Sequence, residues 1–394
     1  MNFDEIKDRR GTYCTQWDYV KDRFGKEGLL PFTISDMDLE SPEEIAEALV
    51  KRINHKIFGY SRWNHDDFKN SIENWYKKRF SCEINKDWIV YSPSVIYAVS
   101  KFVEMKSEKG DGVLINTPGY DGFFKMILGN ERRIISSPLK NINGKYEIDF
   151  EDFEKKCREA KIFLLCSPHN PVGKVWTEKE LAKIIEICKK NNVFIISDEI
   201  HMDIVYNKKH IPIVSLGKDY LENIVLCTSA SKTFNIPAFT GSYLFIPSEK
   251  NREDFLKILK ERDALSSPSI LAVIATMTAY NECEYWVDEL IKYTENNIKF
   301  VKEYLEKNIP ELFCEIPDGS YFAWIDFSKL GISSEEFQKY LIDIGEVAVM
   351  PGLTYGEEGR YFLRLNVACS IKKVKDGLER IKKSVDYIRE IKTK

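Results

Sequence analysis

The sequence has no long hydrophobic run, no metal-binding cysteine pattern and no secretory leader. No stretch approaches the roughly 18 uninterrupted apolar residues of a membrane span. The nine cysteines include no C-x-x-C pair, and the five histidines show no ligand spacing. The first five residues, Met-Asn-Phe-Asp-Glu, lack the apolar core of a signal peptide. We therefore expect a cytoplasmic protein with reduced cysteines, no metal and no membrane partner.

The sequence also lacks an excess of charge of either sign. Lys and Arg total 58 against 62 Asp and Glu, a formal net charge of −4. A dedicated nucleic-acid binder would carry a basic stripe, so we expect no nucleic-acid partner. With 394 residues, 43% of them apolar and 30% charged, the composition predicts a globular protein of two or three domains.

Several glycine-rich nucleotide and nucleophile motifs are missing. The stretch Gly110-Asp111-Gly112 has no third glycine of a dinucleotide fingerprint, and neither a P-loop nor a G-x-S-x-G motif occurs. A nicotinamide-dependent dehydrogenase is therefore the least supported enzyme class.

Short apolar runs alternate with helical patterns from about residue 110 to 246. Between two runs, the capping-box spacing of Thr177 and Glu180 predicts the start of an amphipathic helix through Cys188. Continuous apolar strands separated by helices predict a mostly parallel sheet covered on both faces. The predicted strands are Val113–Ile115, Ile134–Ile135, Ile162–Cys166, Val193–Ile196, Ile224–Cys227 and Tyr243–Ile246.

The flanking regions read as a second, smaller unit. A helix should begin at Pro42, with Ser41 as its cap and Glu44 at its third position, and 268–308 reads as long helices. The tail mixes strand-like and helical segments, which predicts a smaller α+β domain against which the first forty or so residues pack. We predict a large domain over 46–267 and a small domain formed by 1–45 and 268–394. The tail segments are Tyr321–Ile325, Ser334–Ile342, Tyr361–Val367 and Val374–Ile388.

Three polar residues follow three of the predicted strands. Asn170, Asp198 and Lys232 come after the runs that end at Cys166, Ile196 and Cys227. The carboxyl ends of parallel strands meet at one sheet edge, so these side chains should converge. Such a set suits pyridoxal 5'-phosphate (PLP). Its aldehyde requires an amine, its protonated pyridine nitrogen is stabilised by a carboxylate, and its ring oxygen accepts a hydrogen bond from an amide. Singly, each residue has an ordinary explanation as a surface lysine, a helix-cap acid or a turn asparagine.

The stretches around these residues resemble a known superfamily. Cys166-Ser-Pro-His-Asn-Pro-Val-Gly173, Ser197-Asp-Glu-Ile-His201 and Ser229-Ala-Ser-Lys-Thr-Phe-Asn235 are similar to fold-type-I PLP-dependent aminotransferases. Within that superfamily they most resemble the MalY/PatB group of C–S β-lyases, the cystathionine β-lyase-like enzymes. The likeness implies the type I PLP-dependent transferase fold, an α/β fold with a three-layer large domain. It also takes in Asp8–Thr12, Ser35–Asp38, Phe58–Tyr60 and Arg364–Ala368.

The resemblance assigns roles at the ring of the cofactor. Lys232 corresponds to the Schiff-base lysine, Asp198 to the partner of the pyridine nitrogen and Asn170 to the donor to the ring oxygen. Tyr120 stands where the family stacks an aromatic ring on the cofactor. His201 stands where many aminotransferases carry a tyrosine that contacts the ring oxygen.

Other roles concern the phosphate. Ser229 and Ser231 match phosphate ligands, and the turn at Ser94 opens a helix whose backbone N–H groups, at Val95 and Ile96, suit an anion. The family tends to have glycine at position 94, so Ser94 departs from the pattern. Tyr60 resembles a phosphate-binding tyrosine of the neighbouring subunit, which implies a homodimer with shared active sites; otherwise it is an interface or core aromatic. We list these candidates as Tyr60, Val95, Ile96, Ser229 and Ser231.

Arg364 can be singled out without the family. It interrupts the apolar run Phe362–Val367, where a guanidinium needs a carboxylate or solvent. The family uses this position for the substrate α-carboxylate, and a structural ion pair is the alternative.

The sequence thus predicts a C–S β-lyase that acts on a small amino-acid thioether such as cystathionine. An aminotransferase would use the same Lys232, Asp198 and Asn170, so the catalytic residues leave that alternative open. A binding or regulatory protein on the same fold is the alternative of another class.

Overall fold

The structure, a computed structural model, describes residues 2–393 and contains two β-sheets within that range. The larger has eight strands in the order β2-β9-β8-β7-β6-β3-β4-β5. Neighbours from β4 through β3, β6 and β7 to β8 are parallel, and the strands at both edges are antiparallel. The strands are β2 Ile89–Ser92, β3 Gly112–Thr117, β4 Arg133–Ile142, β5 Lys145–Ile148, β6 Ala160–Cys166, β7 Phe194–Asp198, β8 Ile224–Thr228 and β9 Ser242–Phe245. All six predicted runs are strands, so the mostly parallel sheet is confirmed.

Helices cover both faces of this sheet. Phe102 stacks on Phe194 with ring centroids 5.9 Å apart, while Phe153 meets Phe163 edge-on at 4.8 Å. Phe194 is the register partner of Ile162, the neighbour of Phe163, so the two strand rings point to opposite faces. The predicted three-layer arrangement is confirmed.

Twelve α-helices lie within the described residues. Helix α7 begins with the predicted capping box, since the Thr177 hydroxyl accepts from the Glu180 N–H and the Glu180 carboxylate accepts from the Thr177 N–H. The helices are α1 Val20–Phe24, α2 Glu43–Asn54, α3 Asp66–Phe80, α4 Val95–Lys106, α5 Asp121–Gly129, α6 Phe150–Cys157, α7 Glu178–Lys190, α8 Glu249–Lys257, α9 Ile270–Glu282, α10 Glu284–Asn308, α11 Ser334–Tyr340 and α12 Ile371–Lys392.

One predicted cap is wrong. Helix α2 begins at Glu43, and Pro42, which has no side-chain donor or acceptor, occupies the N-cap position. Ser41 lies one residue too early, and its hydroxyl instead donates to the backbone oxygen of Asn235 at 3.3 Å.

The second sheet has five strands in the order β1-β12-β13-β11-β10. Strand β1 pairs in parallel with β12, so the N-terminal region packs against the tail as predicted. Helix α9, however, packs against α2 and α3. The domain boundaries at 46 and 267 stay a prediction. The strands are β1 Leu30–Phe32, β10 Phe313–Cys314, β11 Phe322–Asp326, β12 Val347–Pro351 and β13 Phe362–Asn366.

No helix within residues 2–393 is long and apolar enough to cross a membrane. In the same range no group of His, Cys, Asp or Glu side chains has the arrangement of a metal site. All nine cysteines are buried and free.

Candidate active site

A cavity of about 200 Å³ lies at the carboxyl ends of the parallel strands of the large sheet. The chain runs from β3 outward to β4 and then returns to β6 on the other side of β3, so the strand order reverses there. Open α/β sheets bind ligands at such a switch point. Eight of the predicted cofactor residues line the cavity: Val95, Ile96, Tyr120, Asn170, Asp198, His201, Ser229 and Ser231; Lys232 lines it too.

Lys232 lies beyond the end of β8, and burial changes its acid–base behaviour. Its Nζ donates to Ser35 Oγ at 2.8 Å. Burial lowers the pKa of Lys232 to about 8, a shift that the Asp36 carboxylate opposes and the Arg364 guanidinium reinforces. A larger fraction of this amine is therefore neutral near pH 7 than of an exposed lysine, which suits a nucleophile or base.

Asp198 ends β7 and is buried on the floor of the same cavity. Burial, with a smaller effect of the neighbouring Glu199 carboxylate, raises the pKa of Asp198 to about 7. The N–H of Ile200, which donates to Oδ1 at 3.1 Å, opposes this rise. A carboxyl in such surroundings binds a proton or a cation strongly. The site therefore favours a cationic ring nitrogen at this position.

Arg364 contacts Asn170, which lines the cavity, but Arg364 is not itself among the lining residues. Nη1 of Arg364 donates to Oδ1 of Asn170 at 3.1 Å, and Nη2 donates to the backbone oxygen of Thr33 at 2.8 Å. The amide NH₂ of Asn170 is thereby left to donate into the cavity. Nε of Arg364 is buried without a hydrogen-bond partner, so the guanidinium keeps an unused donor. No carboxylate pairs with Arg364 in the described chain, against the structural ion-pair alternative.

Two rings lie at the cavity wall. Tyr120 immediately precedes α5, and a Cβ on Gly122 would lie 2.5 Å from its ring, so glycine there makes room for the tyrosine. His201 is buried edge-on to Tyr321 and Phe322, and its Nδ1 has no partner. Burial lowers the pKa of His201 to about 3, so the imidazole is neutral.

One part of the cavity wall is the N-terminus of α4, which the sequence predicts to hold the phosphate. Ser94 caps this helix, since its hydroxyl accepts from the Tyr97 N–H at 3.1 Å. The N–H groups of Val95 and Ile96 precede the first intrahelical hydrogen bonds, so they can donate to an anion. The Ser94 hydroxyl accepts the capping bond and keeps its own proton to donate.

The two serines after β8 differ in availability. The Ser229 hydroxyl donates to the backbone oxygen of Gly241 at 2.6 Å and accepts from the Ser231 N–H at 3.1 Å. The Ser231 hydroxyl makes no such bond, so Ser231 is the freer of the two donors.

Tyr60 does not reach this cavity within one chain. It is fully exposed, next to exposed Ile57 and Phe58. A large exposed apolar patch marks an interaction surface.

Several residues that line the cavity have no role predicted from the sequence. Ser35 belongs to one of the family-like motifs, but no sequence pattern places it beside Lys232, because the two lie 197 positions apart. Gly241 immediately precedes the antiparallel strand β9, and the start of a strand, unlike its carboxyl end, is not a predicted ligand position. The other lining residues without an assigned role are Pro93, Ser94, Cys166, Ile200, Pro237 and Thr240.

A larger cavity, of about 550 Å³, lies between the β4–β5 hairpin and the small sheet. Its lining includes Glu315, Asp326 and Lys329, but Glu315 is already paired with Lys302. It has no amine and carboxylate on successive strand ends. The smaller cavity is therefore the candidate active site.

The donors and acceptors of the smaller cavity fit PLP. Lys232, an amine with a lowered pKa, suits the aldehyde, and Asp198, a carboxyl that favours a nearby cation, suits the ring nitrogen. The free amide NH₂ of Asn170 suits the ring oxygen. The α4 N-terminus suits the phosphate.

Comparison with known proteins agrees with this site. The model of the family described as aminotransferase class I and II matches residues 27–381. Protein MalY of Escherichia coli is 44% identical and covers 99% of this chain and 100% of its own. Cystathionine β-lyase PatB of Bacillus subtilis is 39% identical, over 97% of this chain and 99% of its own. The PLP-bound C–S lyase of Staphylococcus hominis superposes with a TM-score of 0.92 at 31% identity, covering 98% of each chain. The chain belongs to the aminotransferase class I and II family, in the branch that contains MalY and PatB.

Proposed function

We propose that this protein is a PLP-dependent C–S β-lyase. It cleaves cystathionine or a related cysteine thioether by α,β-elimination to a thiol, pyruvate and ammonia. The names of PatB and of the S. hominis enzyme support this reaction, and both align along almost the whole chain. The observation that carries the proposal is the convergence of Lys232, Asp198 and Asn170 on one cavity.

Each residue holds one part of the cofactor. Lys232 would bind the aldehyde carbon, Asp198 would pair with the ring nitrogen and Asn170 would donate to the ring oxygen. Tyr120 packs on the ring, and His201 contributes a neutral imidazole beside it. When bound, PLP supplies an electron sink conjugated to the substrate Cα.

The phosphate is held by three sets of donors. These are the α4 N–H groups at Val95 and Ile96, the hydroxyl groups of Ser231 and Ser229, and Tyr60 of a second subunit. Of the two serines, Ser229 must give up its bond to Gly241 before it can donate.

Lys232 moves the proton. With the cofactor bound and its own amine free, Lys232 would accept the Cα proton and become an ammonium. As the C–S bond breaks, the sulfur would leave with the electron pair and take up a proton from that ammonium, which gives the thiol and restores the neutral amine. The three-carbon enamine that remains is hydrolysed by one water to pyruvate and ammonia.

Arg364 orients the substrate. Its unpartnered Nε, together with the two Nη donors, binds the α-carboxylate with a planar fork. A fixed carboxylate places the Cα proton toward Lys232.

The proposal includes a homodimer in the cytoplasm. The exposed group of Ile57, Phe58 and Tyr60 supports a dimer. Nine buried free cysteines support a reducing compartment.

The test is incubation of the purified protein with cystathionine and no keto acid. Pyruvate, ammonia and thiol in equal amounts are expected. Amino transfer that requires an added keto-acid acceptor, with no thiol released, would instead make the protein an aminotransferase.

A further inference from the structure

The Lys232 amine has a fixed hydrogen-bond acceptor that comes from the N-terminal region. Ser35 Oγ lies 2.8 Å from Nζ, three residues beyond the end of β1, and lines the cavity. The Tyr321 hydroxyl donates to the Ser35 backbone oxygen at 2.8 Å, which fixes that peptide. Ser35 therefore meets the lysine from a different part of the fold.

Residues 34–39, here called the strap, are held by an asparagine from the lysine segment. Asn235, three residues after Lys232, donates to the backbone oxygens of Met37 at 3.1 Å and Leu39 at 2.8 Å. Its Oδ1 accepts from the Met37 N–H at 2.9 Å. The segment that carries the lysine thus sets the position of the strap.

A second asparagine comes from the segment of Arg364. Asn366 Nδ2 donates to the backbone oxygens of Ile34 and Asp36, both at 2.7 Å. The first oxygen belongs to the peptide that precedes Ser35 and the second to the peptide that follows Asp36, so Asn366 holds the backbone on both sides of the Ser35–Asp36 pair.

The side chains of the strap are held by a partly buried ionic network. Arg9 binds Asp36 at 2.6 Å and Asp38 at 2.9 Å. Asp38 also pairs with Lys373 of α12. Buried charges that are paired on several sides hold a segment rigidly because removing one partner is costly. The motifs at Asp8–Thr12 and Ser35–Asp38 thereby gain a physical role.

We propose that Ser35 is a positioning residue for Lys232. Its hydroxyl oxygen accepts an N–H from the released amine and fixes rotation about the last side-chain bond, so that the lone pair points to the substrate Cα. After proton transfer the ammonium still donates to the same oxygen. Arg9 acts through Asp36, by holding the strap. The inference rests on the proposed function only in that Lys232 moves the Cα proton.

Other charges also face this amine. Asp36, Arg364 and Asp198 act on Lys232, and the neutral His201 lies in the same cavity. A change in the charge of the site would therefore alter cofactor binding and substrate binding together. Loss of a positioning hydrogen bond should slow the two steps that use the Lys232 lone pair, proton transfer and attack on the aldehyde, and leave the final cofactor content and KM unchanged.

The experiment compares full-length Ser35→Ala and Ser35→Thr with Ser41→Ala. Ser41 lies two residues beyond the strap and does not line the cavity, and its hydroxyl donates to the backbone oxygen of Asn235. The first readout is exchange of the substrate Cα proton for deuterium on the holoenzyme. The second is the rate at which the cofactor-free full-length protein takes PLP back, since the free amine must attack the aldehyde.

Ser35→Ala should slow both rates about three- to tenfold, the range of one neutral hydrogen bond. The final cofactor content and KM should match the parent. Ser35→Thr should retain most of both rates, and Ser41→Ala should equal the parent.

Two results overturn the inference. One is that both rates in Ser35→Ala stay within about 1.5-fold of the parent. The other is that Ser35→Ala and Ser35→Thr lose cofactor or raise KM equally, as a structural role would. Neither readout requires C–S cleavage, so failure of the lyase proposal appears separately, as absence of thiol from the parent enzyme.

Discussion

At the residue scale, the pKa values of Lys232 and Asp198, two ionisable groups of the cofactor site, are shifted in opposite directions from their usual values. Burial lowers the pKa of Lys232 to about 8 and raises the pKa of Asp198 to about 7. In both cases burial disfavours the charged form. A cationic ring nitrogen beside Asp198 would compensate the buried carboxylate, so cofactor binding and carboxylate ionisation are coupled.

This coupling predicts a pH-dependent stability of the cofactor-free protein. The pKa of Asp198 is about 7 in the folded chain against a usual 3.8, so between pH 4 and 7 the folded state holds the extra proton. Stability contributed by this group is thus lost as pH rises through that window. Asp198→Asn should abolish the loss, gaining on the order of 3 kcal/mol relative to the parent between pH 4.5 and 7.

Urea unfolding of both proteins at several pH values measures the difference. Exposed Asp343→Asn serves as the matched control and should follow the parent. If the Asp198→Asn and parent curves run parallel across this window, the carboxyl is not buried as described.

Arg364 yields a prediction on substrate binding. Arg364→Lys keeps the charge but loses the planar fork, so KM should rise about tenfold or more while cofactor content stays near the parent's. The control is Arg360→Lys, at an exposed arginine paired with Glu357. Steady-state kinetics with cystathionine decides; an unchanged KM would argue against carboxylate binding by Arg364.

At the element scale, the predictable parts are those with a local signal. The parallel strands could be predicted because burial on both faces requires continuous apolar runs. The start of α7 could be predicted because its capping box requires a particular spacing of Thr177 and Glu180. The ends of β6, β7 and β8 placed Asn170, Asp198 and Lys232 at one edge. The rule that strand ends face the ligand was enough to predict that convergence.

The parts that escaped prediction depend on distant partners. Strand β1 has three residues and is defined by its pairing with β12, more than 300 positions away. The contact of Ser35 with Lys232 follows from that pairing. The Ser229 hydroxyl already donates to the backbone oxygen of Gly241, and this bond likewise depends on where β9 begins. Contacts between such distant residues cannot be predicted from residue spacing along the chain.

The capping box of α7 allows a test of local stability. Thr177→Ala removes the acceptor for the Glu180 N–H and should cost about 1 kcal/mol in the free energy of unfolding. Thr393→Ala, at the last helix end, is the control, because that hydroxyl bonds only helix carbonyl oxygens. Urea unfolding measures both, and equal stabilities would contradict the assigned cap.

At the scale of the whole molecule, the proposed site is complete only with a second chain. Tyr60 is fully exposed and does not line the cavity of its own chain, although its resemblance to the family predicts a contact with the phosphate. A second copy of the chain that covers Ile57 and Phe58 would supply it.

Tyr60→Phe therefore should weaken PLP binding about tenfold or more, since a hydrogen bond to a charged group is lost, while the dimer persists. Equilibrium dialysis gives the affinity and sedimentation gives the mass. Tyr13→Phe, at another exposed tyrosine, should leave the affinity unchanged. A monomeric parent protein with full cofactor affinity would refute the shared site.

The most direct test of the account is to locate the cofactor on the chain. Borohydride reduction of the purified holoenzyme followed by peptide mass spectrometry should place one pyridoxyl group on Lys232, and Lys232→Ala should carry none and form no pyruvate. A pyridoxyl group on a different lysine, or turnover by Lys232→Ala, would contradict the account.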